Sequence, residues 1–470
     1  MAENEYILKE QETAIPEDHE YGLDRGRMRA VVDAIDQHDE KKLLELLEPV
    51  HPADIADSIN LMSYDKRASF VELLGDNFSP LILVELESGV RDEVIEMLGI
   101  ERAARIIKQL SIEDAFDFIE DIDEEHRHAI LPELPEKTRA AIEEALEYPD
   151  DSAGRLLQKN LVSVPEYWTV GQTIDYLRSK KKLPNDFHHV FLVDPQHRPV
   201  GSILVSRLIR KQRATVIKDI MDIDLKLIRP EMDQEEVAYI FRQYGLVSAP
   251  VVDEQGHLKG IISLEDVVSV IEEEAEEDIF LLGGVGQDDI HASLLETSRK
   301  RFLWLFVNFL TAILASYVIS LFQGSIEKVV ALAVLMPIIA SMGGNAGTQT
   351  LTVVVRAIAT KDITSANAMR VLFKEFMVGF INGILFALVS GVLVGLWFHN
   401  WTYSLVFGLA ITLNLIFAGF SGVLIPISLV KLGLDPAIAS GVFLTTVTDC
   451  VGFAGFLGFA TYFLFHFNHF

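Results

Sequence analysis

A chain of 470 residues with a formal charge of -29 and a mean hydropathy of +0.26 cannot be one homogeneous globule. Residues 301–470 hold 7 Lys and Arg against 5 Asp and Glu, which leaves 33 against 64 for residues 1–300. An acidic soluble part joined to a nearly uncharged apolar part excludes a disordered chain and a nucleic-acid binder, which needs a basic face for phosphates, and it fits an integral membrane protein of about three domains.

Residues 1–24 read as a flexible acidic tail without the basic start or apolar core of a signal peptide, so the first 300 residues are expected to stay cytoplasmic. Residues 25–150 have helical spacing and an internal repeat at an offset of 60, which sets Asp54 on Asp114 and Asp57 on Asp117. Helix pairs cannot bury their apolar face alone, so this part is expected to stack into an all-α superhelix. Residues 151–270 repeat again: Asp194 matches Asp253 and Gly201 matches Gly260 at an offset of 59, and Pro165 matches Pro230 at 65. Each copy reads as strand, turn, strand and helix, and the pair resembles an α/β tandem of CBS modules. Many such modules bind adenine nucleotides through a Gly-x-x-Ser/Thr-x-x-Asp pattern, present here as Gly260, Ser263 and Asp266. The first copy has Leu204 and Arg207 there, so at most one ATP-type site is expected, an unliganded module being the alternative.

Residues 271–300 form an acidic connecting helix, with six carboxylates among the seven positions from Glu272 to Asp278. Like charges brought together beside a membrane raise the cost of the compact state until a divalent cation bridges them, which makes the run a candidate sensor. Residues 301–470 offer five spans, 302–323, 329–355, 376–398, 401–430 and 436–465. Eight basic residues flank one side of them and only Lys328 the other. That orients the large N-terminal part inside and the C-terminus outside, as a multi-pass protein of the plasma membrane.

Asp449, near the middle of the fifth span, is the single charge within these windows. A carboxylate there costs at least ~2.5 kcal/mol and normally faces a water-filled path or a bound cation; the alternative is a protonated Asp bonded to a neighbouring helix. Thr445, Thr446 and Gly452 extend its polar stripe. In the second span Pro337, Gly343 and Gly344 are expected to break the helix, so that freed carbonyls with Asn345, Thr348 and Gln349 meet the water shell of an ion; a glycine packing seam is the alternative. Oxygen ligands, few charges and no His in any span suit magnesium, which keeps its waters. Two copies of the fifth helix about a two-fold axis would set two carboxylates across one pore.

The order of parts, the run GGNAGTQ at 343–349 and LDPAIASGVFLTTVTDCVGF at 434–453 together resemble the MgtE magnesium channel family. That resemblance implies a homodimer in membrane lipid, with Asp449 at the ion site on the dimer axis. It also implies regulatory magnesium at Glu113 and Asp117, at Asp233, Glu235 and Asp266, and at Glu274, Glu277 and Asp278. The chain departs from the family at Gly245, where the family has an acidic residue. The expected fold is thus a multi-domain membrane protein: superhelical N domain, CBS tandem, five-helix membrane domain. The expected function is a magnesium-selective import channel, not an enzyme, closed by cytosolic magnesium. The alternatives are an ion-coupled secondary transporter of magnesium or cobalt and a sensor without flux.

Overall fold

The computed structural model describes Leu23 and residues 25–180, 183–184, 187–285, 294–364, 366–438 and 440–467. The expected tail at 1–24, Leu23 apart, and part of the expected connecting segment lie outside the described residues. The chain divides into two compact units after Gln158. The Arg155 guanidinium donates to the Tyr148 carbonyl (3.2 Å) and to Glu120 (2.6 Å) and so holds its segment to the preceding helices.

The first unit contains α1 Arg25–Asp36, α2 Glu40–Leu47, α3 Pro52–Asn60, α4 Tyr64–Leu74, α5 Pro80–Val84, α6 Ser88–Leu98, α7 Ile100–Ile107, α8 Ile112–Glu120, α9 Glu124–Ile130 and α10 Glu136–Leu146. The repeat read from the sequence is kept, because α3 and α8 begin and end 60 residues apart. Ile55, Ala56 and Ile59 are buried on one, and Ala115, Phe116 and Ile119 on the other. Arginines close the successive turns. Arg67 donates to the carbonyls of Asn60 (3.5 Å) and Met62 (3.0 Å), Arg91 to Val84 and Leu86 (2.8 Å each), and Arg127 to Glu120 (2.6 Å) and Ile122 (3.3 Å). In all three cases the acceptors lie seven and five residues upstream, and the first of them is the last residue of the preceding helix. A helix C-terminus leaves carbonyls unpaired at its negative end, and a guanidinium supplies both the donors and the charge. Arg67 also pairs with Glu93, and Arg91 with Asp121 at 2.9 Å, so each clamp ties its own turn to the next.

In the second unit, β1 Ser163–Pro165 pairs in parallel with β2 His189–Val193, which pairs antiparallel with β3 Pro199–Leu204. The second copy pairs β4 Ser248–Val252 antiparallel with β5 Leu258–Ser263, and Ile228 bridges in parallel to Val251. Leu192 and Val251 are equivalent at the expected offset of 59, but Val164 and Ile228 are 64 apart, so the ladder shifts the upstream match by one from the proline pair. The helices here are α11 Val170–Ser179, α12 Val205–Ile209, α13 Gln234–Tyr244 and α14 Leu264–Gly283. His189 and Ser248, equivalent at the same offset of 59, meet across the two copies at 2.9 Å.

The membrane part holds α15 Leu294–Ser320, the short α16 Gln323–Lys328, α17 Ala331–Ala359, α18 Ala368–Phe398, α19 Trp401–Lys431 and α20 Ser440–Phe467. Five of these, all but α16, are long and apolar enough to cross a bilayer. The expected break in the second span does not occur: α17 runs unbroken through Pro337 and the Gly343–Gly344 pair. In an apolar medium every other peptide group must still bond within the helix, so one proline, which removes a single donor, does not end it. Gly343 serves packing instead. A Cβ at this position would stand 2.2 Å from Nδ2 of Asn414, a fully buried side chain of α19 that donates to the Ile339 carbonyl of α17 at 2.8 Å. α18 and α19 approach as closely, for a Cβ at Gly379 would lie 2.6 Å from the Leu415 carbonyl.

Arg91→Ala is expected to lower the stability of the first unit by about 2 to 4 kcal/mol, read as earlier thermal unfolding and faster proteolysis there. Gly343→Ala is expected to cost about 1 to 3 kcal/mol by displacing Asn414, read as a lower thermal midpoint of detergent-purified protein, whereas Gly344→Ala, which meets nothing within 4 Å, stays near the parent.

Candidate ion-binding sites

The candidate pathway residues fall on two packed helices, Asn345, Thr348 and Gln349 on α17 and Thr445, Thr446 and Asp449 on α20. Gly347 lies against Leu444, and Ile339 against Gly452, so the helices run antiparallel. That register brings Asp449 level with about Met342, and Asn345 level with about Thr446. Asn345, Thr348 and Gln349 are exposed on α17, and Asp449 is half-buried with no hydrogen bond or ion pair among the described residues. The Thr445 and Thr446 hydroxyls donate to the Gly441 (3.0 Å) and Val442 (2.6 Å) carbonyls of their own helix. Back-bonding spends the hydroxyl hydrogens and leaves oxygen lone pairs for a cation or its water. Gly452 and Gly455 pack within the chain, on Asn414 and Leu413, whereas Gly458 meets nothing within 4 Å.

Beside the end of α17 and the start of α20 a second group of acids converges. Asp233 caps α13 and accepts from the Glu235 amide at 2.8 Å, while Gln234 donates to Glu274 of α14 at 2.9 Å. Burial pushes Glu274 from 4.5 up to about 7, against the Gln234 hydrogen bond and with repulsion from Glu235, Glu277 and Asp233 added. Burial also raises Glu235, helped by Asp233, Asp278 and Asp435 and opposed by Lys361. Asp278 is raised by burial and by Asp435, with Arg356 opposing. Five of the expected regulatory carboxylates are therefore neighbours, and a sixth, Asp435, joins them from the loop between α19 and α20. Lys361, beyond the end of α17, reaches Glu236 at 3.4 Å and lies 4.5 Å from the Tyr239 ring centre, which docks the membrane loop on the second CBS module.

The remaining expected residues lie on other elements. Asp266 forms a capping box at the start of α14, its Oδ2 accepting from the Ser263 hydroxyl (2.7 Å) and amide (2.9 Å). A nucleotide or metal at Asp266 must therefore share a carboxylate that already holds a helix end. Glu113 and Asp117 lie on α8 of the first unit. That unit also brings His126 Nδ1 within 3.0 Å of Asp92 Oδ1, with Asp123 beside them.

Sequence reasoning missed Glu375. One residue outside the expected third window, it lies inside α18 and accepts from the Thr350 hydroxyl of α17 at 3.0 Å. Its neighbour Lys374 makes it look like an ordinary interfacial charge, and only the position of Thr350 reveals the contact.

Residues 336–459, which run from within α17 to within α20, match the MgtE family, described as divalent cation transporters. Residues 50–151 match the MgtE intracellular N domain, and residues 153–214 and 217–273 match CBS domains. The magnesium transporter MgtE of Thermus thermophilus is 34% identical over 329 residues, which is 69% of this chain and 72% of that protein. That of Enterococcus faecalis is 32% identical over 326 residues, with the same two shares. The chain belongs to the MgtE family of magnesium transporters. It is a multi-pass membrane protein with the helical N domain and CBS pair of that family. A solved cytosolic domain of the Mg2+ channel MgtE in complex with ATP aligns at 28% identity, covering 52% of this chain and 99% of that one, with a TM-score of 0.47.

Groups whose pKa is raised on folding bind more protons in the native state, so their contribution to stability is present at low pH and lost as pH rises, here between about 4.5 and 7 for Glu274. Without divalent cations the thermal midpoint is expected to fall from pH 5 to pH 8. Magnesium is expected to restore it at pH 8, and Glu274→Gln to flatten both responses in scanning fluorimetry.

Proposed function

We propose that the chain is a magnesium channel, working as a homodimer in the plasma membrane with its acidic part in the cytosol and its C-terminus outside, and closed from within by cytosolic magnesium. The observation that carries this reading is the convergence of Asp233, Glu235, Glu274, Glu277 and Asp278 with Asp435 of a membrane loop. Burial and mutual repulsion raise Glu235, Glu274 and Asp278, so protons or a bound cation favour the compact arrangement. A hard divalent ion with oxygen ligands suits such a group.

Mutual repulsion among the acids opposes the approach of α14 and α13 to the inner membrane loops. Binding of magnesium removes that repulsion and holds the elements together, so the closed population follows the internal concentration with a cooperative response. Falling magnesium restores the repulsion and frees the inner mouth. In the membrane, the Asp449 carboxylate attracts the hydrated ion, and threonine and amide oxygens bond its water shell without full dehydration. Glu113 and Asp117 belong to the same regulation in this reading, contributed by the N domain. The Gly260, Ser263 and Asp266 pattern keeps an adenine nucleotide as a ligand of the second CBS module, sharing the Asp266 carboxylate with the α14 cap.

Ion-coupled transport is the second reading, and Glu375 favours it by adding a carboxylate within a span. Uptake of magnesium into proteoliposomes separates the two. Flux without any sodium or proton gradient, abolished by Asp449→Ala and suppressed by magnesium on the cytoplasmic face, is expected. Flux that requires a sodium or proton gradient would overturn the channel reading, and no flux at all would leave only a sensor.

A further inference from the structure

The geometry points to a second cation site in the membrane part, at Glu375, for a monovalent alkali-metal cation. A cavity of about 130 Å³ opens between α17, α18 and α19, lined by Gln349, Thr350, Glu375 and Asn382 on its polar side and by Leu415 and Val353 on its apolar side. Liquid water occupies about 30 Å³ per molecule, so the space fits one ion with two or three waters. Packing fixes its walls. Thr350 is buried and donates to Glu375 at 3.0 Å, and a Cβ at Gly419 would lie 2.9 Å from the Glu375 carbonyl oxygen.

No Lys, Arg or His lines this cavity, and among the described residues Glu375 has no ion pair. An ionised side chain at this depth normally finds a partner of opposite charge or a water-filled path. Here the donors around it are a hydroxyl and two side-chain amides, whose oxygens suit a hard cation. Charge decides the valence. One carboxylate balances one monovalent ion, whereas a divalent ion would leave a net positive charge in a poorly solvated place, at a cost that rises with the square of that charge.

The site is separate from Asp449. Thr350 lies eight residues further along α17 than Met342, the level of Asp449, which is about 12 Å at 1.5 Å per residue, and Asp449 does not line the cavity. Gln349 belongs to both surroundings, as an expected pathway residue and as a wall of this cavity. The inference does not rest on gating by magnesium, and it holds for either reading of the flux.

The test is saturable binding of 22Na+ to the purified full-length protein by scintillation proximity. Unlabelled sodium and potassium should displace the label. Glu375→Gln should weaken binding at least tenfold, and Asp449→Asn should leave it within twofold. Thr350→Val and Asn382→Ala should each weaken it about threefold or more, and they carry the test if Glu375→Gln does not elute as a monodisperse species. No saturable binding, as for a protonated Glu375 that holds no ion, would overturn the proposal. So would binding unchanged in these cavity variants, binding lost in Asp449→Asn, or displacement by magnesium at lower concentration than by sodium.

Discussion

Six carboxylates from the start of α13, from α14 and from the loop before α20 meet beside the end of α17 and the start of α20, near Arg356 and Lys361. Burial and mutual repulsion together lift Glu235, Glu274 and Asp278, so each holds its proton to a higher pH than a free carboxylate. In the membrane part, Asp449 and Glu375 have no ion pair among the described residues.

What lets the membrane helices build such surroundings is close approach rather than broken backbone. Gly343 and Gly452 leave room for the Asn414 amide, which joins α17, α19 and α20 at one point. Asp449 lies one turn before Gly452, so this contact fixes its height relative to Asn345 and Met342. The glycines of α18 and α19 do the same for the cavity at Glu375, since Gly379 and Gly419 bring the two backbones together. Lipid offers no hydrophobic drive between helices, so van der Waals contact of this kind and a few buried hydrogen bonds hold the bundle.

The first unit follows a different logic. Its helices are short and amphipathic, and a stack of short helices exposes many carbonyl ends. Arg67, Arg91 and Arg127 each answer the ends of one preceding helix, and Arg67 and Arg91 also pair with an acid further along the chain. Although the domain is acidic overall, its architecture depends on a few buried cations.

Composition and pattern determined the division into an acidic soluble part and an apolar one, the five long membrane helices, the paired α/β modules and the 60-residue helical repeat. These follow from local periodicity and from hydropathy, which each residue carries with it. The isolated carboxylate of the fifth helix was legible for the same reason, because a single charge in an apolar run has no neighbours to disguise it. Tertiary structure decided what depends on distance between remote segments. Asp435 joins Glu235 and Asp278 from far along the chain, Glu375 faces Thr350, the arginines find carbonyls by the turn of a helix pair, and Gly343 of the unbroken α17 packs on Asn414. Electrostatic repulsion, cavity walls and close packing are properties of pairs in space, and a linear pattern does not state which pairs will meet.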